Sequence, residues 1–346
     1  MSEELNTRSQ DILAAIVEDY IASAVPVGSR AISRRHALKL SPATVRNVMA
    51  DLEEMGFLCS PHTSAGRVPT SKGFHYYIDS LLEVRELSSA EQARLTTSYQ
   101  FKGMRMEDVM QEVGRVLSGI SSYTGLVLAP KFSSTVFRQI EFVRLSPGRL
   151  LVIFVSEAGL VQNKVIESKV DWSRQDLERI TNYLNRTLPG LTVQEIRAQL
   201  ADEVRQEQDR FDQLRKQALQ LSKAALDEEI EDSVYVAGTS RMLEQPEFSS
   251  PEQMRKIFQT LESKQQLIEL LDQSQAAEGV QIFIGSQSQH SSIEGCSLIS
   301  SPFSGKKGAI GTLGVIGPVR MNYSQVIPIV DFTARLVSRI LDRETE

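Results

Sequence analysis

The sequence predicts a multidomain α+β protein: an N-terminal winged helix-turn-helix, then a domain built on an antiparallel sheet, with a mainly helical segment inserted into it. Three observations lead to this prediction. Roughly the first 80 residues alternate short helical patterns with turns and end in a candidate hairpin. Runs of β-like residues follow, and such runs resume near residue 280. The stretch between the two groups of strands has helical spacing instead.

Length, composition and cysteine content exclude several classes of protein. A chain of 346 residues is long enough for two or three domains. Hydrophobic residues make up 41% and charged residues 24%, which excludes a mainly disordered or collagen-like chain. No apolar run approaches the roughly 20 residues that cross a bilayer, and the acidic start lacks the features of a signal peptide. Cys59 and Cys296 form no disulfide framework. We therefore expect a cytoplasmic protein without a membrane partner.

Charge is distributed unevenly along the chain. The net charge of −6, taken alone, argues against a nucleic acid as partner. Residues 28–78, however, carry seven lysines and arginines against three acids, a local charge of +4. Residues 192–232 carry eleven acids against six bases, or −5. Because local charge is what meets a phosphate, the N-terminal part of the chain is suited to an anionic partner.

Apolar spacing and caps place the first two helices. Apolar residues recur at helical spacing between Ile12 and Ile21, and a proline–glycine segment at residues 25–28 ends this helix. Ser29 is placed to cap a second, short helix that runs through Arg35. We therefore expect two helices joined by a tight turn at the start of the chain.

A third helix and a hairpin complete the predicted N-terminal domain. Ser41 suits the N-cap position and Pro42 the first helical position, where its missing N–H is not needed. This helix ends near Gly56. Residues 57–59 and 67–68 are candidate strands around a turn-rich tip. Short helices followed by a hairpin in this order predict a winged helix-turn-helix.

The third helix has the pattern of a helix that reads the major groove of DNA. Small or hydrogen-bonding residues near its N-terminus would face the base edges. Asn47 suits adenine, and Arg46 suits guanine or a phosphate. Ala43 and Thr44 suit a thymine methyl group, and Ser41 with the free amides of the helix start suits a phosphate. The alternative is a surface helix of a bundle, whose polar face is merely hydrated. The apolar face comprises Val45, Val48, Met49, Leu52 and Met55.

Further contacts to double-stranded DNA are predicted around this helix. Polar residues on the hairpin tip could reach the DNA backbone or the minor groove. Basic residues of the second helix and the turn after it are candidate phosphate contacts. The alternatives are an ordinary solvated hairpin and solvated charges. The candidates are His62, Thr63, Ser64 and Arg67 on the wing, and Arg30, Arg34, Arg35 and Lys39 beside the helices.

The rest of the chain divides where the periodicity changes. The predicted winged-helix domain covers residues 1–86 and ends at a polar break, which we interpret as a linker. The sheet domain would have two parts, residues 87–170 and 277–346, separated by an inserted helical segment, residues 171–276. A helix should end the chain. The predicted strands lie at 126–128, 136–145, 150–155 and 161–166 before the insert, and at 280–284, 296–299 and 309–316 after it.

The predicted insert carries an apolar seam with heptad spacing. Such a seam must be buried, and we expect it to form the contact of a homodimer. The alternative is an intramolecular hairpin in which the seam packs against apolar residues of the same chain. The seam comprises Val204, Phe211, Leu214, Ala218 and Leu221, and the alternative partners are Ile257, Leu261, Ile268 and Leu271.

Several long strings of residues are specific enough to indicate a family. They are DYIA at 19–22, PVGSR at 26–30, LSPATVRNVMADLE at 40–53 and PHTSAGRVPT at 61–70, with GVIGP at 314–318 and MNY at 321–323. These strings closely resemble the HrcA family of heat-inducible transcription repressors. The resemblance implies a dimeric bacterial repressor that binds an inverted repeat, the CIRCE element, before chaperone operons. It also implies control by the chaperonin, a GAF-like sheet domain with a dimerising insertion, and a location at the nucleoid when the operator is bound.

Motifs for catalysis, metal binding and nucleotide binding are missing. Cys59 and His62 have neither a second cysteine pair nor an HxxxH spacing beside them. Residues 305–307 lack the first glycine of a P-loop, since Ser300 stands in its place, and Lys307 replaces the residue that holds magnesium. No pair of carboxylates suits acid–base chemistry. We expect neither an enzyme nor a metal site nor a cofactor.

A repressor that is released by a small molecule remains the alternative function. GAF-like folds elsewhere hold small ligands, and such a protein would need a polar-lined cavity in its sheet domain. The candidate lining residues are apolar and favour a filled core instead. They are Leu126, Phe142, Ile153, Ile282 and Leu313.

Overall fold

The computed structural model describes residues 5–35, 38–61, 66–99, 106–129, 135–157, 161–168, 170–206, 221, 234–248, 251–275, 279–285, 295–305 and 308–343. These residues form an N-terminal helical domain with a two-stranded hairpin, a five-stranded antiparallel sheet and a three-stranded antiparallel sheet. The predicted α+β fold class is confirmed. None of the helices in these ranges is long and apolar enough to span a bilayer.

Three helices around one apolar core open the chain. The first, α1 (Thr7–Ser23), begins after Asn6, whose side-chain oxygen accepts a backbone hydrogen bond, and it ends at Ala24 in the left-handed conformation. The helices α2 (Ser29–Arg35) and α3 (Pro42–Glu54) follow, as predicted. Their shared core comprises Ile12, Leu13, Ile16, Val17, Ile32, Val45, Met49 and Leu52.

A hairpin forms the wing. The strands β1 (Leu58–Cys59) and β2 (Val68–Pro69) pair antiparallel. Val27 and Arg67 extend the pairing, since the amide of each donates to the carbonyl of the other, at 2.8 and 2.9 Å. A Cβ on Gly66 would lie 2.4 Å from the carbonyl oxygen of Val27, so only glycine permits this close approach. The predicted winged helix-turn-helix is confirmed.

A helix begins within the polar break that we interpreted as a linker. After α4 (Ser71–Tyr76) and one wider helical turn, α5 (Ser89–Ser98) begins at Ser88. Ser88 and Glu91 form a capping box: the amide of Glu91 donates to the Ser88 hydroxyl at 3.3 Å, and the amide of Ser88 donates to the Glu91 carboxylate at 2.9 Å. Residues 82–88 form neither a helix nor a strand, and Ser88 marks the start of the helix that follows them.

The five-stranded antiparallel sheet is assembled from distant parts of the chain. In spatial order its strands are β7 (Val234–Ala237), β3 (Thr124–Leu128), β10 (Gly308–Pro318), β9 (Cys296–Gly305) and β8 (Gln281–Ile284). All but β7 were predicted as strands. β7 lies inside the block that we expected to be helical.

Helices cover both faces of this sheet. The helices α6 (Met106–Ser121) and α12 (Tyr323–Arg343) pack on one face, and α11 (Lys264–Gln275) packs on the other. The alternation of side chains along a strand separates the two cores, because Val127 points into the first and Leu126 into the second. We call this sheet with its helices the central domain.

Short elements connect β7 to α11. They are α9 (Ser240–Leu243), a single 3-10 turn (Pro246–Phe248) and α10 (Pro251–Glu262). Ile257 of α10 and Leu271 of α11 are buried in the core on the second face of the five-stranded sheet. Helices that we assigned to the insert therefore cover the central sheet.

The predicted meander forms a separate sheet. Its strands are β4 (Phe137–Ser146), β5 (Arg149–Ser156) and β6 (Val161–Glu167), in that order. The helix α7 (Arg174–Thr187) packs against β4, and α8 (Val193–Gln206) follows it. The buried face of the meander is closed by apolar residues of α7 and of the segments beside it. This core includes Phe137, Ile140, Phe142, Leu150, Val152, Phe154, Ile166, Trp172, Leu177, Ile180 and Leu184.

Among the described residues the meander does not pair with the five-stranded sheet, whereas we expected one antiparallel sheet. Asn185 of α7 clasps β4, because its side-chain oxygen accepts from the amide of Ile140 at 2.8 Å and its amide donates to the carbonyl of Ile140 at 2.9 Å. Alternation along the chain identifies a strand but carries no information about which strands pair. The strand β7 was not predicted within the expected helical insert, because it is defined by its pairing with β3.

Candidate nucleic-acid interface

The helix α3 presents a polar face at the surface of the N-terminal domain. The Ser41 hydroxyl caps the helix, since it accepts from the amide of Thr44 at 3.1 Å and lies 2.9 Å from the Thr44 hydroxyl. Ala43, Arg46 and Asn47 are exposed, and Thr44 is half-buried. The opposite face packs into the core as predicted. Its buried residues are Val45, Met49 and Leu52, and Val48 and Met55 pack partly against the same core.

Uncompensated positive charge surrounds this face. Arg30, Arg34, Lys39 and Arg46 are exposed, and none of them forms an ion pair with another residue that the structure describes. Arg35 ends α2, but its side chain lies outside the described residues. Exposed cations without an acidic partner attract an anion over a distance and can then contact it directly.

Arg67, which we predicted as a DNA contact, is held by an acidic residue. Its Nε donates to Glu53 Oε2 at 2.8 Å, and a terminal nitrogen lies 2.7 Å from the same oxygen. Another terminal nitrogen donates to the hydroxyl of Ser60 at 3.4 Å. The two charged side chains are only 27% and 32% exposed. The Arg67 side chain therefore ties the base of the wing to α3, and a contact with DNA stays a prediction.

Lys72 and Thr70 fix the other end of α3. The Lys72 ammonium donates to the carbonyl of Met55 at 2.9 Å and lies 4.4 Å above the ring centroid of Phe57. The Thr70 hydroxyl donates to the carbonyl of Gly56 at 2.6 Å. These contacts satisfy carbonyls beyond the helix end. Sequence spacing does not indicate this role of Lys72, because its partners come from another part of the chain.

The remaining predicted site residues lie in a core or outside the described residues. Leu221 is 4% exposed and belongs to a different core from Ile257, Leu261 and Leu271, so it does not pack against them. Val204 lies on α8, with its side chain outside the described residues. Outside the described residues altogether are His62, Thr63 and Ser64 of the wing tip and Phe211, Leu214 and Ala218 of the seam.

The cysteines and histidines offer no assembled metal site in the described ranges, where no three metal-binding side chains come together. Cys59 is exposed and Cys296 is buried, and neither forms a disulfide. Partial burial of the sulfur and the nearby Glu53 carboxylate raise the pKa of the Cys59 thiol. The thiol beside the wing therefore stays protonated at neutral pH.

Comparison with known proteins identifies the family. The winged helix-turn-helix transcription repressor domain described as HrcA DNA-binding matches residues 4–80, and the HrcA protein C terminal domain matches residues 107–327. The chain belongs to the HrcA family. The first match contains α1 to α4 together with the wing, and the resemblance seen in the sequence strings is confirmed.

Full-length relatives support the same assignment. The heat-inducible transcription repressor HrcA of Geobacter sulfurreducens is 51% identical over 341 residues, covering 99% of both chains. That of Pelotomaculum thermopropionicum is 40% identical over 340 residues, covering 98% of both. A crystal structure of a hypothetical protein superposes with a TM-score of 0.65 at 22% identity, over 99% of this chain and 100% of that one, which supports the fold. HrcA proteins are transcription repressors and not enzymes, and this chain has their DNA-binding winged helix.

Proposed function

We propose that this HrcA-family protein represses heat-shock operons, which encode chaperones, by binding the inverted-repeat CIRCE operator as a homodimer, with its activity modulated by the chaperonin. One observation carries the DNA-binding part of the proposal. The exposed face of α3, with Arg46 and Asn47 near its capped N-terminus, is surrounded by cations that have no described ion-pair partner. A helix with this face can enter the major groove while its apolar face stays packed on the domain.

The proposed contacts divide by position. Asn47 and Arg46 would bond to base edges, and Ala43 and Thr44 would contact a thymine methyl group. Arg30, Arg34, Arg35, Lys39 and the wing tip would contact phosphates or the minor groove. Ser41 caps α3 with its hydroxyl, as the sequence predicted. Its exposed position at the helix start still suits a phosphate near the free amides.

An inverted repeat follows from the size of the reading element. One recognition helix reads only a few base pairs, so specificity on a chromosome needs two copies. A two-fold symmetric dimer presents the same helix twice in opposite directions and therefore demands a palindromic site. Two half-sites bound together gain affinity over one, because the second binding event is intramolecular.

The dimer contact belongs, in this proposal, to an insertion at residues 129–233. Leu128 and Val234 are opposite each other in the neighbouring strands β3 and β7, so the central sheet would be continuous without the intervening residues. This range differs from the limits of 171–276 that the periodicity suggested. It contains the meander, α7 and α8, and the whole of the predicted apolar seam.

The outer face of the meander supports a role for this insertion in self-association. In register across its three strands lie Val143, Leu151 and Val165 in one row and Val155 beside Val161 in another. Val143 is 37% exposed, Val165 44% and Val161 51%. Between the two rows Ile153 continues the apolar strip along β5, with Glu141 and Asn163 on either side of it. An apolar strip with polar residues at its sides, opposite a face already closed by α7, is typical of a surface that a partner covers.

The alternative function, release by a small ligand, has less support. The five residues that would have to line such a cavity are divided between two sheets, since Phe142 and Ile153 lie on the meander. Leu126 and Leu313 of the central sheet are fully buried on opposite faces of it. These residues therefore enclose no common space.

A footprint on the promoters of its own genome tests the proposed function. We expect the purified protein to protect an inverted repeat before chaperone genes, and to bind the intact repeat far more tightly than a duplex with one half-site. The chaperonin, whose role rests on the family resemblance, should increase the protected fraction when it is added. Equal affinity for the half-site and the repeat would contradict dimeric recognition. A protected fraction that does not change when the chaperonin is added would contradict modulation by the chaperonin.

A further inference from the structure

One of the groups that join the DNA-binding domain to the central domain is an arginine. Arg320 lies in the turn between β10 and α12, within the C-terminal string GPVRMNY at residues 317–323, to which the sequence analysis assigned no role. Its side chain is only 13% exposed. One of its terminal nitrogens donates to the carbonyl of Ile21, which is 299 positions earlier in the chain and belongs to α1.

The same guanidinium is held by the segment after α9. Its Nε and one terminal nitrogen donate to the two carboxylate oxygens of Glu247, and the terminal contact measures 3.1 Å. That nitrogen also donates to the side-chain oxygen of Gln245 at 3.2 Å. The second terminal nitrogen remains for Ile21, at 3.1 Å. Arg320 thus joins three segments of the chain at one point.

Only arginine fits this arrangement. A planar guanidinium presents donors in fixed directions, so it can bind a carboxylate with two parallel bonds and still reach a third acceptor. A lysine ammonium is a point charge without that fork. Ile21 is in the last turn of α1, where carbonyls lack helical partners and the helix dipole is negative. A buried positive charge at this helix end is doubly favourable.

An aromatic contact forms the apolar half of the same joint. Phe74 of the DNA-binding domain lies 6.3 Å from the ring of Tyr323, measured between centroids, and equally far from the ring of Tyr20. The fully buried Tyr323 is fixed in the central domain, because its hydroxyl bonds to the Ser297 hydroxyl at 2.8 Å and to the carbonyl of Val319 at 2.6 Å. The central domain therefore offers a rigid surface to α1 and α4.

The joint is open beside these contacts. A cleft of about 550 Å³ separates the two domains where Tyr20, Thr70 and Phe74 face Glu247 and Arg320. The apolar core is continuous between the two domains elsewhere, and beside the cleft the polar contacts of Arg320 help to hold their relative orientation. Burial and the nearby Glu247 carboxylate raise the pKa of Tyr20, which keeps its phenol neutral beside this ion pair.

We propose that Arg320 is a positioning residue for DNA recognition. It fixes the orientation of the DNA-binding domain, and hence of α3, relative to the central domain. This orientation sets the half-site spacing that the dimer accepts. This inference rests on the proposed function, since spacing matters only to a dimer on an inverted repeat. In a dimer held together elsewhere, a fixed angle at each joint places the two recognition helices at one separation. A loosened joint spreads that separation over a range, which lowers the effective concentration of the second helix at its half-site.

The test uses full-length protein and a series of duplexes in which the spacer between the two arms changes by single base pairs. Wild type should prefer one spacing sharply. Arg320→Ala, Arg320→Lys and Glu247→Gln should bind the preferred duplex about tenfold more weakly and should lose most of the preference, while their affinity for a single half-site stays unchanged. Arg335→Ala is the matched control, because it removes the same charge from an exposed pair with Asp331 inside α12.

A second measurement reports the joint without DNA. The exposed residues Asp11 of α1 and Arg339 of α12 are replaced by cysteine in a Cys59→Ser background, and each cysteine carries a spin label. The labels report the distribution of distances between the two domains. The distribution should broaden in the Arg320 and Glu247 variants and not in Arg335→Ala. Wild-type spacing preference and an unbroadened distribution in Arg320→Lys and Glu247→Gln would overturn the proposal. A wild-type protein indifferent to spacing would instead refute the dimeric recognition on which it rests.

Discussion

We expect single side chains on and around α3 to divide into those that read bases and those that bind phosphates. Asn47→Ala and Arg46→Ala should relax discrimination at one position of each half-site, since a bidentate base contact contributes about 1–3 kcal/mol. Arg34→Ala should weaken binding to all sequences alike and lower the slope of log K against log salt by about 1. Titrations on the repeat and on singly substituted repeats, at several salt concentrations, measure both effects. If Asn47→Ala changed neither the affinity nor the base preference, the proposed position of α3 in the major groove would be wrong.

The faces of α3 could be predicted from sequence because helical periodicity is local. A side chain at position 45 and one at position 49 share a face wherever the helix lies, so the buried set Val45, Met49 and Leu52 followed from spacing alone. The partner of Arg67 could not be predicted in this way. Glu53 comes close to it only because the hairpin folds back onto α3.

The Glu53–Arg67 ion pair holds the wing to α3. Its role can be tested separately from the effect of charge on DNA binding. Glu53→Gln should release Arg67 and loosen the wing, which reduces hydroxyl-radical protection beside each half-site while protection in the major groove persists. Affinity should fall severalfold relative to Glu54→Gln. Glu54 is the matched control because it is exposed on the same helix and loses the same charge, without an ion pair to any described residue.

The opposite result would assign Arg67 a different role. If the Arg67 guanidinium itself contacts DNA in the complex, releasing it from Glu53 makes it more available. Glu53→Gln would then bind at least as tightly as Glu54→Gln, with undiminished protection beside the half-sites. Since both variants remove one negative charge near the phosphates, their comparison separates the loss of the anchor from the change in charge.

Elements with a local signal were predictable, and those defined by pairing were not. The helix start at Ser88 carried its signal in the sequence, because serine followed three positions later by glutamate is a capping box. The strand β7 has only four residues, Val234–Ala237, and is recognisable chiefly by its pairing with β3. A strand that short between helical patterns has no periodicity of its own to detect.

The whole molecule depends on contacts between distant parts of the chain. Leu128 and Val234 are neighbours in one sheet although more than a hundred residues separate them, and Arg320 reaches Ile21 across almost the entire sequence. Sequence spacing contains no information about such contacts. The limits of the insert that we expected from periodicity therefore differ from those that the strand pairing suggests, and the strands form two sheets instead of one. The contacts also determine which parts of the chain can be removed without unfolding the rest.

Removing the insertion should separate dimerisation from folding. Residues 129–233 can be replaced by Asn-Gly, because Leu128 and Val234 already face each other in antiparallel strands and a two-residue turn joins such strands. The central domain keeps β3, β7, α10 and α11 and should fold. The shortened protein should be mainly monomeric in sedimentation velocity, should bind one half-site as wild type does, and should bind the full repeat roughly 100-fold more weakly.

A deletion of residues 193–273 provides the contrast. It removes β7, α10 and most of α11, and so uncovers one face of the central sheet, where Leu126 and Leu298 are buried. That variant should unfold, because apolar side chains of the sheet would lose their cover. If the protein without residues 129–233 instead folds and remains a dimer, the interface lies outside the insertion. The five-stranded central domain would then hold the two copies together, and the apolar face of the meander would need another partner.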